Sequence, residues 1–407
     1  MPTPGAAAPR LGDATGNATS HDELVARAEA LVPQLRERVT EADHLRKMAP
    51  ASVDAVRRAG LFKVLQAKRY GGEQQSLRTH IDTIAAIGRG CSATAWCMGV
   101  VQAHSWLMAH FPKAAQDETY GANPDAMISA VISPRGQLRA ADGGYVLNGF
   151  WPFASGSQYA QWLFLGAAVL DEKGEVVDEA DVLVPAADVT IKDDWNVVGL
   201  RGTGSCTVVA KDVFIPAHRY LSLRGLIGGD TPGAALHEGW LYKSAPVPVL
   251  TLALTPCAIG IARGAFEAFV QRLPGREVAY TEREVQINMP VTHVQAAEAA
   301  TKIDVAEALL YRCADEIEAA ARRGEMMEFT KRARVRADCA WAARQCLEAV
   351  EILYLASGGS GIAESSVLGR AWRDLHAVNM HGLLNLQTNM ELYGRVVLGL
   401  KPNTPLI

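Results

Sequence analysis

The seven cysteines of this chain never fall into a C-x-x-C pair, which argues against both a disulfide framework and a structural zinc site and fits a reducing cytoplasm. Basic residues are not in excess: 40 Lys and Arg stand against 44 Asp and Glu, a formal net charge of −4. Without a basic field, neither nucleic acid nor anionic membrane is an expected partner. No G-x-G-x-x-G follows a strand, so the chain is not expected to bind NADH itself. No apolar run reads as long enough to span a bilayer. Residues 1–20 have neither the basic start nor the apolar core of a signal peptide and read as a disordered tail. The paired histidines that would hold a metal on a helix are missing too. His376 and His381 lie five residues apart, which turns the second ring about 140° from the first, so no metal is expected.

What is present is ample for a large core: 407 residues, 49% hydrophobic and 21% charged, enough for two or three structural units. Residues 21–124 carry a helical pattern. From 125 to 235 the chain turns to short β-rich runs such as "GGYVLNGFWPFASG" and "CTVVAKDVFIP", with Asn148-Gly149 as a hairpin signal. Residues 236–407 return to helix, with periodic segments near 245–272, 290–323, 326–356 and 366–399. In the last of these, His381, Asn385 and Asn389 form an i, i+4, i+8 polar stripe that requires partners. The expected fold is therefore mainly α with a small β domain between two helical units.

Several short stretches have the chemistry of a binding site. Trp96 and His104 are eight apart on one helix, about 80° apart and two turns along, and can line one concave wall; an aromatic core position and a capped histidine are the plain alternative. "FWPFASGS" follows the aromatics through Phe153 and Ala154 with two hydroxyls, Ser155 and Ser157, suited to the edge of a flat heterocycle or to an ordinary turn. "LASGGSGI" offers backbone N–H groups of Ser357, Gly358, Gly359 and Ser360 to a phosphate. Arg263 sits among apolar residues, where it needs an anion, either a ligand's or a buried carboxylate.

Five motifs in this order, "CSATAWCMGVVQAHSWLMAHFP", "NGFWPFASGSQYAQWLFLGA", "DDWNVVGLRGTGSCTVVAKDVFIP", "GIARGAFEAF" and "LYLASGGSGIAESSVLGRAWRDLHAVNMH", resemble the acyl-CoA dehydrogenase fold. More narrowly, they resemble its flavin-dependent monooxygenase branch, the oxygenase components of two-component aromatic hydroxylases. The resemblance covers nearly everything after residue 21. It implies an N-terminal helical domain, a middle β-sandwich or barrel domain and a C-terminal four-helix bundle; the long apolar C-terminal helices, more than one chain's bundle covers, predict a homotetramer. It places Trp96 and His104 beside the flavin and substrate, and Ser155 rather than Ser157 near flavin N5. Trp195, Thr203 and Ser205 become the opposite wall, and the 357–360 loop the contact to the flavin phosphate, often of a neighbouring subunit.

The dehydrogenases of this fold use a carboxylate base, and here Gly382 stands where that Glu is expected, with His381 just before it. No acidic residue occurs between Tyr242 and Gly264, the other place from which a base is drawn. An imidazole is the natural substitute for deprotonating a phenol, with His381 the first choice and His376 the second. The expected activity is hydroxylation of a small phenolic or indolic aromatic by a flavin C4a-hydroperoxide formed from O2 and FMNH2 or FADH2. A separate NAD(P)H-dependent reductase would supply the flavin, and Ser155 would slow loss of hydrogen peroxide. An N-hydroxylase of an amine or amino sugar, and an acyl-CoA dehydrogenase disfavoured for want of its base, are the alternatives.

Overall fold

Ser20 and Ser76 each accept the backbone N–H three residues on, and a helix starts after each, the usual N-cap device. In this computed structural model, which describes residues 19–407, the chain opens with α1 (His21–Glu37), α2 (Val39–Leu45), α3 (Pro50–Arg58), α4 (Leu77–Gly90), α5 (Ser92–Met108) and the short α6 (Lys113–Gln116). The tail expected over residues 1–20 lies outside the described residues except for its last two. Thr19 is docked on Glu73 and Ser20 is the cap of α1. Every residue of α5 after Ser92 is buried, so this helix, apolar all round, runs through the core and not over it.

The middle of the chain forms one seven-stranded sheet, ordered β5-β6-β2-β1-β3-β4-β7, from β1 (Ile128–Ala141), β2 (Gly144–Ala154), β3 (Trp162–Leu170), β4 (Val176–Pro185), β5 (Thr190–Ile191), β6 (Cys206–Pro216) and β7 (Tyr220–Ser222). Only β1 and β3 run parallel. One face encloses its own core around Trp151, Leu165 and Val182, while Phe164 and Leu183 on the other join the helical core. The β1–β2 hairpin turns at Asp142-Gly143, not at Asn148-Gly149. Asn148 instead exchanges two hydrogen bonds with Asp212 at a bulge between β2 and β6, and a Cβ on Gly149 would lie 2.4 Å from the Trp151 ring. The Asn-Gly signal is real, but it serves a bulge and a close approach.

Seven more helices follow: α7 (Leu223–Gly228), α8 (Pro246–Leu254), α9 (Pro256–Arg272), α10 (Pro290–Arg322), α11 (Phe329–Ala356), α12 (Val367–Asn379) and α13 (Leu386–Val397). Residues 246–272 are, against expectation, long and apolar enough by composition to cross a membrane, yet 83% of the 18-residue window that qualifies is buried inside the protein. All seven cysteines are free and buried. The helix expected over 366–399 is two helices. Asn385 caps α13 by accepting the Thr388 N–H at 3.1 Å, and Gly382, a poor helix former, lies in the break. The polar stripe therefore does not exist as such: His381 is in the connector, Asn385 is the cap, and buried Asn389 accepts from Arg336 Nε at 2.9 Å.

Candidate active site

Two turns, one after β2 and one before β6, meet α5 and the α12–α13 connector at a single place. The first turn is tight: Phe153 sits at φ +72°, and the Ser155 N–H reaches the Phe153 carbonyl at 2.9 Å. The second, residues 198–205, is gripped by α12. Arg373 Nε donates to the Val198 carbonyl at 3.1 Å, and Asp374 Oδ1 accepts the Leu200 N–H at 2.6 Å. Between them Gly199 lies so close to α12 that a Cβ there would be 2.3 Å from the Arg373 carbonyl oxygen. Only glycine fits such an approach. Leu200 is held at φ +51°, an uncommon conformation for a branched residue.

From this loop a line of hydroxyls runs to α5. Thr203 Oγ1 lies 2.9 Å from the Leu200 carbonyl and 2.7 Å from Ser205 Oγ; Ser205 Oγ is 2.7 Å from Ser155 Oγ; Trp96 Nε1 donates to Ser155 Oγ at 3.1 Å. Thr203 and Ser205 are buried, whereas Ser155 is partly exposed. Ser129 Oγ donates to the Ser155 carbonyl at 2.8 Å. Ser157 is buried behind the turn against the Gly204 carbonyl, 3.5 Å away. Trp195, tied to the Leu200 carbonyl by its indole N–H at 3.2 Å, meets the exposed Phe153 ring edge-on at 6.1 Å. Ala154 is buried and ends β2.

Two buried imidazoles lie on these elements, His381 beside Trp96 and His104 two turns further along α5. The His381 ring packs edge-on against Trp96, centroids 5.5 Å apart, and its Nδ1 accepts the Leu383 N–H at 3.3 Å. His104 Nδ1 lies 2.8 Å from the Ile128 carbonyl, which can only accept, so that nitrogen carries the proton. Burial lowers both pKa values to about 4, so both rings are neutral at pH 7. The two therefore differ in tautomer: His104 has its free Nε2 as an acceptor, and His381 has its Nε2 protonated.

Other residues singled out in the sequence are not in this cluster. Arg263 pairs with the half-buried carboxylate of Glu307 at 2.5 Å, the ion-pair alternative to a ligand anion. His376 lies on α12, bonds back to the Trp372 carbonyl at 2.8 Å and packs on that indole. Ser357, Gly358, Gly359 and Ser360 end α11, where Arg272 and Arg276 both donate to the Ser357 carbonyl and Arg272 also reaches Ser360 Oγ. Asp374 was not anticipated. It is buried, receives the Ser92 hydroxyl as well as the Leu200 N–H, and has its pKa raised to about 6 by burial. Its signal was a carboxylate on the same helix as buried Leu368, Ala371, Leu375 and Val378, a placement charged residues avoid unless paired.

The exposed Phe153 ring, the half-buried Trp195, the partly exposed Ser155 hydroxyl and two neutral imidazoles fit a flat, nitrogen-rich heterocycle such as a flavin. Comparison with known proteins agrees. Residues 252–386 match the family described as acyl-CoA dehydrogenase, C-terminal domain. The chain is 35% identical to the flavin-dependent monooxygenase oxygenase subunit HsaA of Rhodococcus jostii (strain RHA1), over 92% of this chain and 98% of that protein. It is 34% identical to the oxygenase component of the FADH(2)-dependent resorcinol hydroxylase of Rhizobium sp. (strain MTP-10005), over 94% and 95%. Among solved structures, XiaF from Streptomyces sp. in complex with FADH2 and glycerol superposes with a TM-score of 0.90 at 31% identity, covering 95% of this chain and 97% of that one. Fold, site and sequence together place the chain in the oxygenase subunits of the flavin-dependent monooxygenases, on the acyl-CoA dehydrogenase fold.

Proposed function

We propose that this oxygenase takes reduced flavin from a separate NAD(P)H-dependent reductase and hydroxylates a small phenolic aromatic beside the hydroxyl of its phenol. The observation that carries the reading is a pair of neutral imidazoles in opposite tautomers, His381 packed on the Trp96 that donates to Ser155 and His104 two turns further along the same helix as Trp96. Reduced flavin, once bound, reacts with O2 and supplies the electrophilic oxygen. Trp96, Phe153 and Trp195 would flank its ring, with Ser155 at N5 and the buried Thr203 and Ser205 supporting Ser155. The 357–360 loop, with Arg272 and Arg276 behind it, suits the phosphate end.

The tautomers favour His104 over His381 as the base. His104 Nε2 has no partner among the described residues and is free to take the phenol proton, which makes the ring electron-rich. His381, with Nδ1 occupied by the Leu383 N–H, presents Nε2–H and serves as a donor to oxygen. His376, bonded back to its own helix, is a packing residue in this reading. Exposed Leu355, Ile362, Met380 and Leu398 in the C-terminal region favour assembly as a homotetramer. The setting is the cytoplasm, where seven free thiols persist.

The test is a panel of phenols, indoles and amino sugars, assayed with a generic flavin reductase and catalase. Hydroxylation of phenols is the expected result; turnover of amines alone would move the reading to N-hydroxylation. Ser155→Ala is expected to release more of the consumed O2 as hydrogen peroxide, whereas uncoupling by Ser157→Ala and not Ser155→Ala would reassign that role. Light scattering at micromolar concentration checks the tetramer.

A further inference from the structure

Starting from groups that have no choice of role, the protons along the hydroxyl line can be placed. The Leu200 carbonyl only accepts, so Thr203 Oγ1, 2.9 Å away, donates to it. Ser205 must then donate to Thr203, and Ser155 to Ser205, across their 2.7 Å contacts. The indole N–H of Trp96 donates to Ser155. Any other order leaves one of these three oxygen–oxygen contacts without a proton, lone pair against lone pair, at a place where Leu200, Thr203 and Ser205 are buried. Ser155, its proton committed inward and one lone pair taken by Trp96, offers a lone pair and no hydrogen on its exposed side. The orientation of the terminal carbonyl is itself enforced, through Gly199 against α12 and Asp374 on the Leu200 N–H.

We propose that Thr203 is a positioning residue that fixes the direction of this proton line, so that Ser155 is an acceptor and the site selects reduced over oxidised flavin. The inference rests on the reading above in placing Ser155 at N5. Reduced flavin carries a hydrogen there and meets an acceptor; oxidised flavin has a bare nitrogen, and two lone pairs would face each other. A separate reductase makes this selection useful, because the reduced form must be captured from a pool that also contains the oxidised one.

The experiment is anaerobic binding of dithionite-reduced and of oxidised FMN and FAD, with no substrate present. Wild type is expected to prefer the reduced form. Thr203→Val, which keeps the shape and removes the donor to Leu200, should lower that preference by about tenfold, the worth of one net hydrogen bond. Ser205→Ala should do the same, since it removes the acceptor for the Ser155 proton, and it decides the matter should Thr203→Val fail to fold. Thr203→Ser should restore the wild-type ratio. An unchanged ratio in Thr203→Val or Ser205→Ala, or a loss in Thr203→Ser equal to that in Thr203→Val, overturns the proposal. A wild type that hydroxylates phenols but binds both redox forms equally overturns it while leaving the functional reading intact; a wild type that binds neither form and makes no product overturns both.

Discussion

His104 and His381 are both buried imidazoles of the proposed site, but one is mounted on a helix and the other on a helix break. α5 is buried along its length, and His104 is fixed by a carbonyl of β1, an element of another layer. His381 is held by its own connector, through the Leu383 N–H two residues on. The difference teaches that a histidine's role follows from which nitrogen the scaffold occupies: a carbonyl partner turns the free end into an acceptor, an N–H partner turns it into a donor.

Removing each ring in turn is the most direct way to break this comparison. His104→Ala should slow the hydroxylation step by on the order of 10²–10⁴-fold, the worth of a positioned base, with partial recovery at high pH where phenolate is supplied by solvent. His381→Ala should lose less in that step and show no such recovery. The reverse pattern in single-turnover kinetics would exchange the two assignments.

The scaffold around the cleft sharpens the comparison next. Gly199→Ala drives a Cβ into the Arg373 carbonyl, and either α12 or the loop must shift; a loss of about 1–3 kcal/mol in denaturant midpoint is expected. A stability like that of wild type would mean that the loop is not held as described.

A smaller effect concerns charge. Asp181 on β4 is buried with both oxygens unpartnered, and burial raises its pKa to about 8. The unfolded carboxyl releases its proton near its usual value of 3.8, while the folded one keeps it to about pH 8, so this group lowers stability as pH rises between those limits and no further above them. The melting temperature of Asp181→Asn relative to wild type should therefore climb from pH 4 to pH 8 and then level off. A difference independent of pH would show that the carboxyl is hydrated or paired.

His376→Ala should have the smallest effect, at most about 1 kcal/mol, the worth of a part-buried hydrogen bond, with normal hydroxylation. Loss of hydroxylation would restore His376 as a catalytic candidate.

The order of helical and β segments was legible because periodicity survives in a single chain. The helix that carries Trp96 and His104 was legible because α5 runs unbroken. The stretch after Asn379 was misjudged because its apolar spacing continues across a break made by two residues, Gly382 and Asn385, whose local preferences outweigh the pattern. Arg263 illustrates a different limit: its need for an anion was visible, but Glu307 lies on another helix and no spacing rule pairs them. Asp374 was overlooked since its meaning depends on Ser92 and Leu200, 282 and 174 residues away.

The burial of all seven cysteines has a consequence for survival in use. Under the proposed function the protein would work beside peroxide, and the form of cysteine that peroxide attacks is the thiolate. Burial raises the pKa of Cys91, Cys97, Cys206, Cys257 and Cys346, and a contact with Cys339 raises that of Cys313. These six sulfurs stay protonated and out of reach, so the oxidisable sulfur left facing solvent is that of methionines such as Met380 and not of cysteine.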